Sequence, residues 1–73
     1  MRVGYYDGVV YIGTKLHQIR TREALTQRDL SETTGLTIAA ISRIVQNQAE
    51  PRLSTVRKLA NALGVHPSQL MEN

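Results

Sequence analysis

The stretch that decides the fold is residues 26–44, TQRDLSETTGLTIAAISRI. Thr26 and Thr37 each precede a run with helical spacing, and threonine is a favoured residue at the position that caps a helix. Asp29 follows Thr26 by three residues, which is the spacing of a capping box. Gly35 ends the first run, because glycine readily adopts the left-handed conformation that a tight turn requires. The stretch therefore predicts two short helices on either side of a glycine turn.

The helix after Thr37 has two faces of different character. On a helical wheel of about 100° per residue, Ala40, Ile41 and Ile44 share one face, which we predict to be core. The opposite face carries side chains that are small, apolar or able to donate hydrogen bonds: Ile38, Ala39, Ser42 and Arg43. Two short helices around a glycine turn form a helix-turn-helix, whose second helix can enter the major groove of DNA.

Helical spacing continues on both sides of this motif. It predicts a first helix over residues 14–23, a fourth over residues 53–63 and a short fifth one over residues 66–70. Asn47 follows the third helix and is one of the few residues besides glycine that tolerates the left-handed conformation. We therefore expect an all-α domain of five helices over residues 14–73.

Residues 1–13 have a different composition and contain all three tyrosines of the chain. Two β-forming runs, residues 2–6 and 9–12, flank Asp7 and Gly8, and an Asp-Gly pair in this setting predicts a hairpin. We therefore expect an N-terminal β-strand or hairpin arm.

A hairpin on its own is marginally stable in water, so this arm needs a partner surface. We expect it to pair with the same strand of a second copy in a two-fold homodimer. The dimer contacts predicted on this basis are Tyr5, Tyr6, Val9, Val10 and Tyr11. The alternatives are a disordered arm, an arm folded within its own chain, or a dimer formed through the fifth helix.

Composition and charge exclude several classes of function. Nine Lys and Arg against six Asp and Glu give a net charge of +3 and a pI near 9.8, typical of a protein that binds polyanions. The absence of cysteine fits a reducing compartment, and the longest apolar runs are four residues, so we expect a cytoplasmic protein without a membrane span. His17 and His66 have no companions at metal-ligand spacing, and no nucleophile elbow, phosphate loop or carboxylate dyad is present. We expect no metal, no cofactor and no enzymatic activity.

The chain resembles the lambda-repressor-like, Cro/C-I-type helix-turn-helix domain, also called the XRE family. The matching pieces occur in order over about four-fifths of the chain: residues 12–16, 25–31, 34–37, 41–44 and 59–65. The resemblance implies a five-helix DNA-binding regulator, usually dimeric, on a pseudo-palindromic operator of double-stranded DNA.

The resemblance also implies which residues contact DNA. Ile38, Ala39, Ser42 and Arg43 match the base-reading positions. Phosphate contacts are expected from Thr26, Gln27, Thr37, Gln46 and Arg20. Arg43 can form a bidentate pair with guanine, Ser42 can donate or accept, and the two apolar side chains can pack on thymine methyl groups.

Two departures from the family pattern carry predictions of their own. Val45 stands where the family commonly has a glutamate paired with an arginine of the first helix. We therefore expect Arg20 to point outward and bind phosphate, with an internal ion pair to Glu50 as the alternative. Arg52 occupies the usual cap of the fourth helix, so Ser54 is predicted to cap it instead.

The function predicted from the sequence is a sequence-specific transcriptional regulator, a repressor, that reads the major groove with residues 37–46. The alternative is a protein-interaction module or antitoxin on the same fold, whose main ligand is another protein. Arg43 could also be a solvated surface residue and Ile38 could be partly buried, in which case neither reads a base. A salt titration of DNA binding separates the alternatives, because phosphate contacts make affinity fall steeply with salt.

Overall fold

Five helices make up residues 11–71, the part of the chain that the computed structural model describes. They are α1 (Gly13–Arg22), α2 (Gln27–Thr34), α3 (Ile38–Val45), α4 (Leu53–Leu63) and α5 (Pro67–Met71). The predicted all-α fold with five helices is confirmed. The predicted hairpin, with its dimer contacts at Tyr5, Tyr6, Val9 and Val10, lies outside the described residues.

An aliphatic core joins the five helices. α2 packs against α3 and α4, α1 packs against α3 and α5, and α4 packs against α5. Within residues 11–71 no polar or charged side chain is fully buried. The core consists of Ile12, Leu16, Ile19, Leu30, Ile41, Ile44, Val56, Leu59, Ala60, Leu63 and Leu70. Removing these side chains from water is the main stabilisation of so small a domain.

The start of α1 differs from the prediction. Ile12 was expected in a β-run, and Gly13 at the end of the arm, but Ile12 caps α1 and Gly13 is its first residue. Tyr11 and Ile12 are not in a strand. The reason is the spacing of Ile12, Leu16 and Ile19, which places all three on the inner face of one helix.

The predicted capping residue is correct for α2 and wrong for α4. The Thr26 hydroxyl accepts the Asp29 backbone N–H at 3.0 Å, and the Asp29 carboxylate accepts the Thr26 backbone N–H at 2.8 Å, so the predicted capping box is confirmed. The predicted cap of α4 by Ser54 is wrong. Arg52 is the N-cap residue and its side chain forms no capping hydrogen bond.

Four helices, α1 to α4, end in a turn with a left-handed residue. Gly64 after α4 and Asn47 after α3 adopt φ values of 72° and 59°, as glycine and asparagine readily do. Ala24 after α1 has φ 58°, although alanine carries no sequence signal for this conformation. The chain therefore leaves α1 through a turn that a β-carbon makes unfavourable.

Candidate nucleic-acid interface

Two of the three residues predicted for the inner face of α3 are in the core, whereas the third, Ala40, is only half-buried. Ile41 and Ile44 are 0% and 5% exposed and pack into the core. Ile38 is 43% exposed. Ala39 and Arg43 are also exposed, and the remaining member of the outer face, Ser42, is half-buried. A helix fixed through one face thus presents the other face, of mixed apolar and polar character, to solvent.

The turn before α3 is braced by two hydroxyl side chains for which no role was predicted. The Ser31 hydroxyl donates to the Leu36 carbonyl at 2.6 Å, and the Leu36 N–H donates to the Thr34 hydroxyl at 3.1 Å. Gly35 adopts φ 82° and its N–H donates to the Ser31 carbonyl. Hydroxyl residues next to a glycine turn were the available signal, because such side chains commonly bond to nearby backbone groups. This network fixes the direction in which α3 leaves α2.

The far end of α3 is held against α1 by a contact between residues 34 apart in sequence. The Asn47 side-chain oxygen accepts the Gly13 backbone N–H at 2.9 Å. A β-carbon at Gly13 would lie 2.5 Å from that oxygen and 2.7 Å from the Ile44 carbonyl, and closer still to the Val45 carbonyl. Glycine at this position therefore allows α1 and α3 to approach. Both ends of α3 are positioned by hydrogen bonds outside the helix.

Thr26 and Thr37 cap the two helices of the motif through their side-chain oxygens. The Thr37 hydroxyl accepts the Ala40 backbone N–H at 3.0 Å, and the Thr26 hydroxyl accepts the Asp29 backbone N–H in the same way. Since a hydroxyl has two lone pairs and one hydrogen, the Thr37 O–H remains available for a phosphate oxygen, whereas the Thr26 side chain also hydrogen-bonds to Asp29. Gln27 is half-buried at the first position of α2. The positive ends of both helix dipoles add to the attraction for an anion.

Asp29 places a negative charge at the start of α2. Hydrogen bonds from the Thr26 backbone N–H, and then from its side chain, hold the pKa of Asp29 below its usual value. The carboxylate is therefore ionised at neutral pH and opposes a phosphate at Thr26 more than at Thr37. The start of α3 is accordingly the more favourable of the two anion positions.

The predicted outward orientation of Arg20 is wrong. Its guanidinium lies along the turn after α1, where Nη1 donates to the Leu25 carbonyl at 2.9 Å and Nη2 is 3.1 Å from His17 Nδ1. Its Nε atom is buried and has no hydrogen-bond partner within residues 11–71. With Val45 in place of a carboxylate, one nitrogen of the guanidinium donates to a backbone carbonyl instead, and no side-chain pattern in the sequence indicates that partner.

Ser42 and Gln46 contact each other on the exposed side of α3. The Gln46 side-chain Nε2 donates to the Ser42 Oγ at 3.0 Å. Separate tasks are predicted for the two residues, base reading for Ser42 and phosphate binding for Gln46. Their spacing of four residues, which makes side chains neighbours on a helix, was the signal for this contact.

A shallow groove of about 360 Å³ lies beside this face, between α3 and the start of α4. Leu36, Ala40 and Ile44 line it, and Arg43 and Arg52 contribute positive charge. Within residues 11–71 no three His, Asp or Glu side chains are grouped as metal ligands. No helix in this range has the length and apolar character needed to cross a membrane.

Comparison with known proteins gives matches to one family and to transcriptional regulators. The model of the helix-turn-helix family HTH_3 matches residues 16–70. The transcriptional regulators PuuR of Escherichia coli and Shigella flexneri are each 40% identical to this chain over 57 residues, which is 78% of this chain. The chain spans 31% of the length of these curated relatives.

Solved structures share the fold. The restriction-modification controller protein C.AhdI from Aeromonas hydrophila superposes with a TM-score of 0.79 at 31% identity, over 84% of this chain and 92% of its own. The hypothetical transcription factor NHTF from Neisseria superposes with a TM-score of 0.80 at 25% identity, over 86% of this chain and 72% of its own. A transcriptional regulator from Vibrio cholerae superposes with a TM-score of 0.77 at 23% identity, over 84% of this chain and 34% of its own. At this identity the likeness supports the fold alone.

Proposed function

This chain belongs to the helix-turn-helix family HTH_3, a family of DNA-binding regulator domains rather than enzymes, and we propose that it is a sequence-specific transcriptional repressor. It reads the major groove of double-stranded DNA with α3. The observation that carries this proposal is the solvent face of α3, which holds the predicted reading residues while hydrogen bonds at both ends fix the helix. In a cell without a nucleus such a repressor meets its DNA in the cytoplasm, where we propose it acts.

The four side chains of the outer face have separate roles in base recognition. Arg43 is exposed and forms a bidentate pair with guanine O6 and N7. Ile38 and Ala39 pack against thymine methyl groups, for which the exposed apolar surface at the start of α3 is suited. Ser42 completes the set with one hydrogen bond to a base edge.

The phosphate contacts come from the ends of the motif helices. Thr37 donates its free hydroxyl hydrogen, Thr26 turns its hydroxyl hydrogen from Asp29 to the phosphate, and Gln27 and Gln46 donate amide hydrogens. Only one of the two Gln46 amide hydrogens is engaged with Ser42, so the second is available. Arg20 is left out of this set, because its guanidinium is bonded to the turn after α1.

We propose that the protein binds a pseudo-palindromic operator as a homodimer. Tyr11 is 55% exposed next to the N-terminal end of α1, which supports a contact made by the first residues of the chain. Residues 5, 6, 9, 10 and 11 form this contact, with α5 as the alternative. A two-fold dimer would set the two copies of α3 about 34 Å apart, one turn of DNA.

The test begins with selection of bound fragments from random duplex DNA, followed by affinity measurements on the selected and a random sequence. Arg43→Ala should cost about 1–3 kcal/mol on the selected sequence and relax the preference at one base pair. Arg57→Ala, which removes an exposed arginine of α4, is the matched control and should change both affinities by the same factor.

Two outcomes contradict the proposal. If Arg43→Ala lowers the affinity for the selected and the random DNA by the same factor, Arg43 does not read a base. Binding to no duplex DNA at low salt, together with capture of a protein ligand, supports the alternative of a protein-interaction module or antitoxin.

A further inference from the structure

The Ser42–Gln46 contact limits what the serine hydroxyl can do. A hydroxyl has one hydrogen to donate and two lone pairs, and it ordinarily rotates to suit its partner. The Gln46 amide donates into one lone pair of Ser42 at 3.0 Å, which directs the hydroxyl hydrogen away from Gln46. Among the described residues, no hydrogen bond is donated by this hydroxyl. The Ser42 hydrogen is therefore free to donate on the outer face of α3.

We propose that Gln46 is a specificity-determining positioning residue that makes Ser42 a hydrogen-bond donor toward the base edge. In the major groove, the hydrogen-bond acceptors are N7 and O6 of guanine, N7 of adenine and O4 of thymine, whereas cytosine presents its N4 amino group as a donor. Ser42 thus selects an acceptor and rejects cytosine at the position it faces. This deepens the proposed function and rests on it, because a reading role for α3 is its premise.

Three variants separate the direction of the hydroxyl from its mere presence. Gln46→Glu keeps the length but can only accept, so the Ser42 hydrogen turns to the carboxylate and the lone pairs face the base. Gln46→Met keeps the length and leaves the hydroxyl free to rotate. Ser42→Ala removes the group. Both positions lie on the solvent side of α3, and circular dichroism checks that each variant is helical.

The readout is the base frequency at each position after selection from random duplex DNA. Wild type should disfavour cytosine at one position by about twofold to tenfold, the worth of one net hydrogen bond. Gln46→Glu should bind more weakly overall, because it adds a negative charge, and should shift that position toward cytosine or adenine. Gln46→Met and Ser42→Ala should flatten the preference there and leave other positions unchanged.

A measurement without DNA tests the contact separately from the proposed function. In the free protein, Ser42→Ala should shift the side-chain amide resonances of Gln46 and leave those of the exposed Gln48 in place. Unshifted Gln46 resonances overturn the inference whatever the DNA results. Shifted resonances with no sequence selected by wild type refute the proposed function, and with it the reading role of Ser42. If wild type selects a sequence and Gln46→Glu keeps the same preference at every position, the inference is wrong and the proposed function stands.

Discussion

Replacing Gly13 with alanine is expected to destabilise the protein, although the same change at an open helical position stabilises. The new β-carbon would lie 2.5 Å from the Asn47 side-chain oxygen and 2.7 Å from the Ile44 carbonyl oxygen, and it would also meet the Val45 carbonyl. Two of these three atoms belong to the backbone and cannot rotate away. α1 and α3 must therefore separate, and the Gly13–Asn47 hydrogen bond lengthens or breaks.

The magnitude follows from three contributions. Overpacking of this kind costs about 1–3 kcal/mol, and loss of the hydrogen bond costs about 0.5–1.5 kcal/mol. The better helix propensity of alanine returns about 0.5–1 kcal/mol. A net loss of about 1–3 kcal/mol is a large part of the roughly 3–5 kcal/mol that a core of this size supplies. At about 4–8 °C per kcal/mol, the melting temperature should fall by about 5–20 °C.

Thermal unfolding followed by circular dichroism measures this effect, and two variants test its cause. Asn47→Gly removes the side-chain oxygen and keeps a residue that accepts φ 59°. Combined with Gly13→Ala it should recover only part of the loss, because the Ile44 and Val45 carbonyls remain. A melting temperature at or above that of wild type for Gly13→Ala refutes the close approach. Full recovery in the double variant would show that the backbone atoms do not obstruct.

Three further changes have expected outcomes. Ala24→Gly should raise the melting temperature by the equivalent of about 0.5–1 kcal/mol, since it relieves a left-handed alanine, and a lower value would contradict the strained turn. Asp29→Asn should destabilise at pH 7. Because the native pKa of Asp29 is lowered by Thr26, this stabilisation is complete above an unfolded pKa of about 3.9 and is lost as pH falls through the native value. In denaturant unfolding, the difference in the free energy of unfolding between wild type and Asp29→Asn should be smaller at pH 3 than at pH 7. The same difference at both pH values would show that the stabilisation does not come from the ionised Asp29 carboxylate. Arg20→Met should cost about 1–2 kcal/mol of stability and leave the salt dependence of DNA binding unchanged. A flatter salt dependence with unchanged stability would show instead that Arg20 contacts a phosphate.

The parts of the fold that the sequence predicts are those encoded over a few residues. The capping box at Thr26, the turn at Gly35 and the two faces of α3 each depend on neighbours within one or two helical turns. A local pattern is sufficient for them because the interacting groups are brought together by the helix or turn itself.

The features that the sequence did not predict depend on distant or unmarked groups. The Asn47–Gly13 contact joins α3 to α1, and its geometry exists only once both helices have packed. The partner of Arg20 is a backbone carbonyl, which every residue has, so no side-chain pattern identifies it. Ala24 adopts its conformation because the turn between α1 and α2 requires it, against its own preference.

The aliphatic core has a practical consequence for spectroscopy. The chain has no tryptophan or phenylalanine, its three tyrosines are residues 5, 6 and 11, and the core formed by residues 11–71 is aliphatic. Near-ultraviolet absorption and tyrosine emission therefore report on the first eleven residues alone, while far-ultraviolet dichroism reports on the helices. In a single unlabelled sample, the effects of dilution can thus be followed at the two wavelengths as separate events, one for each part of the chain.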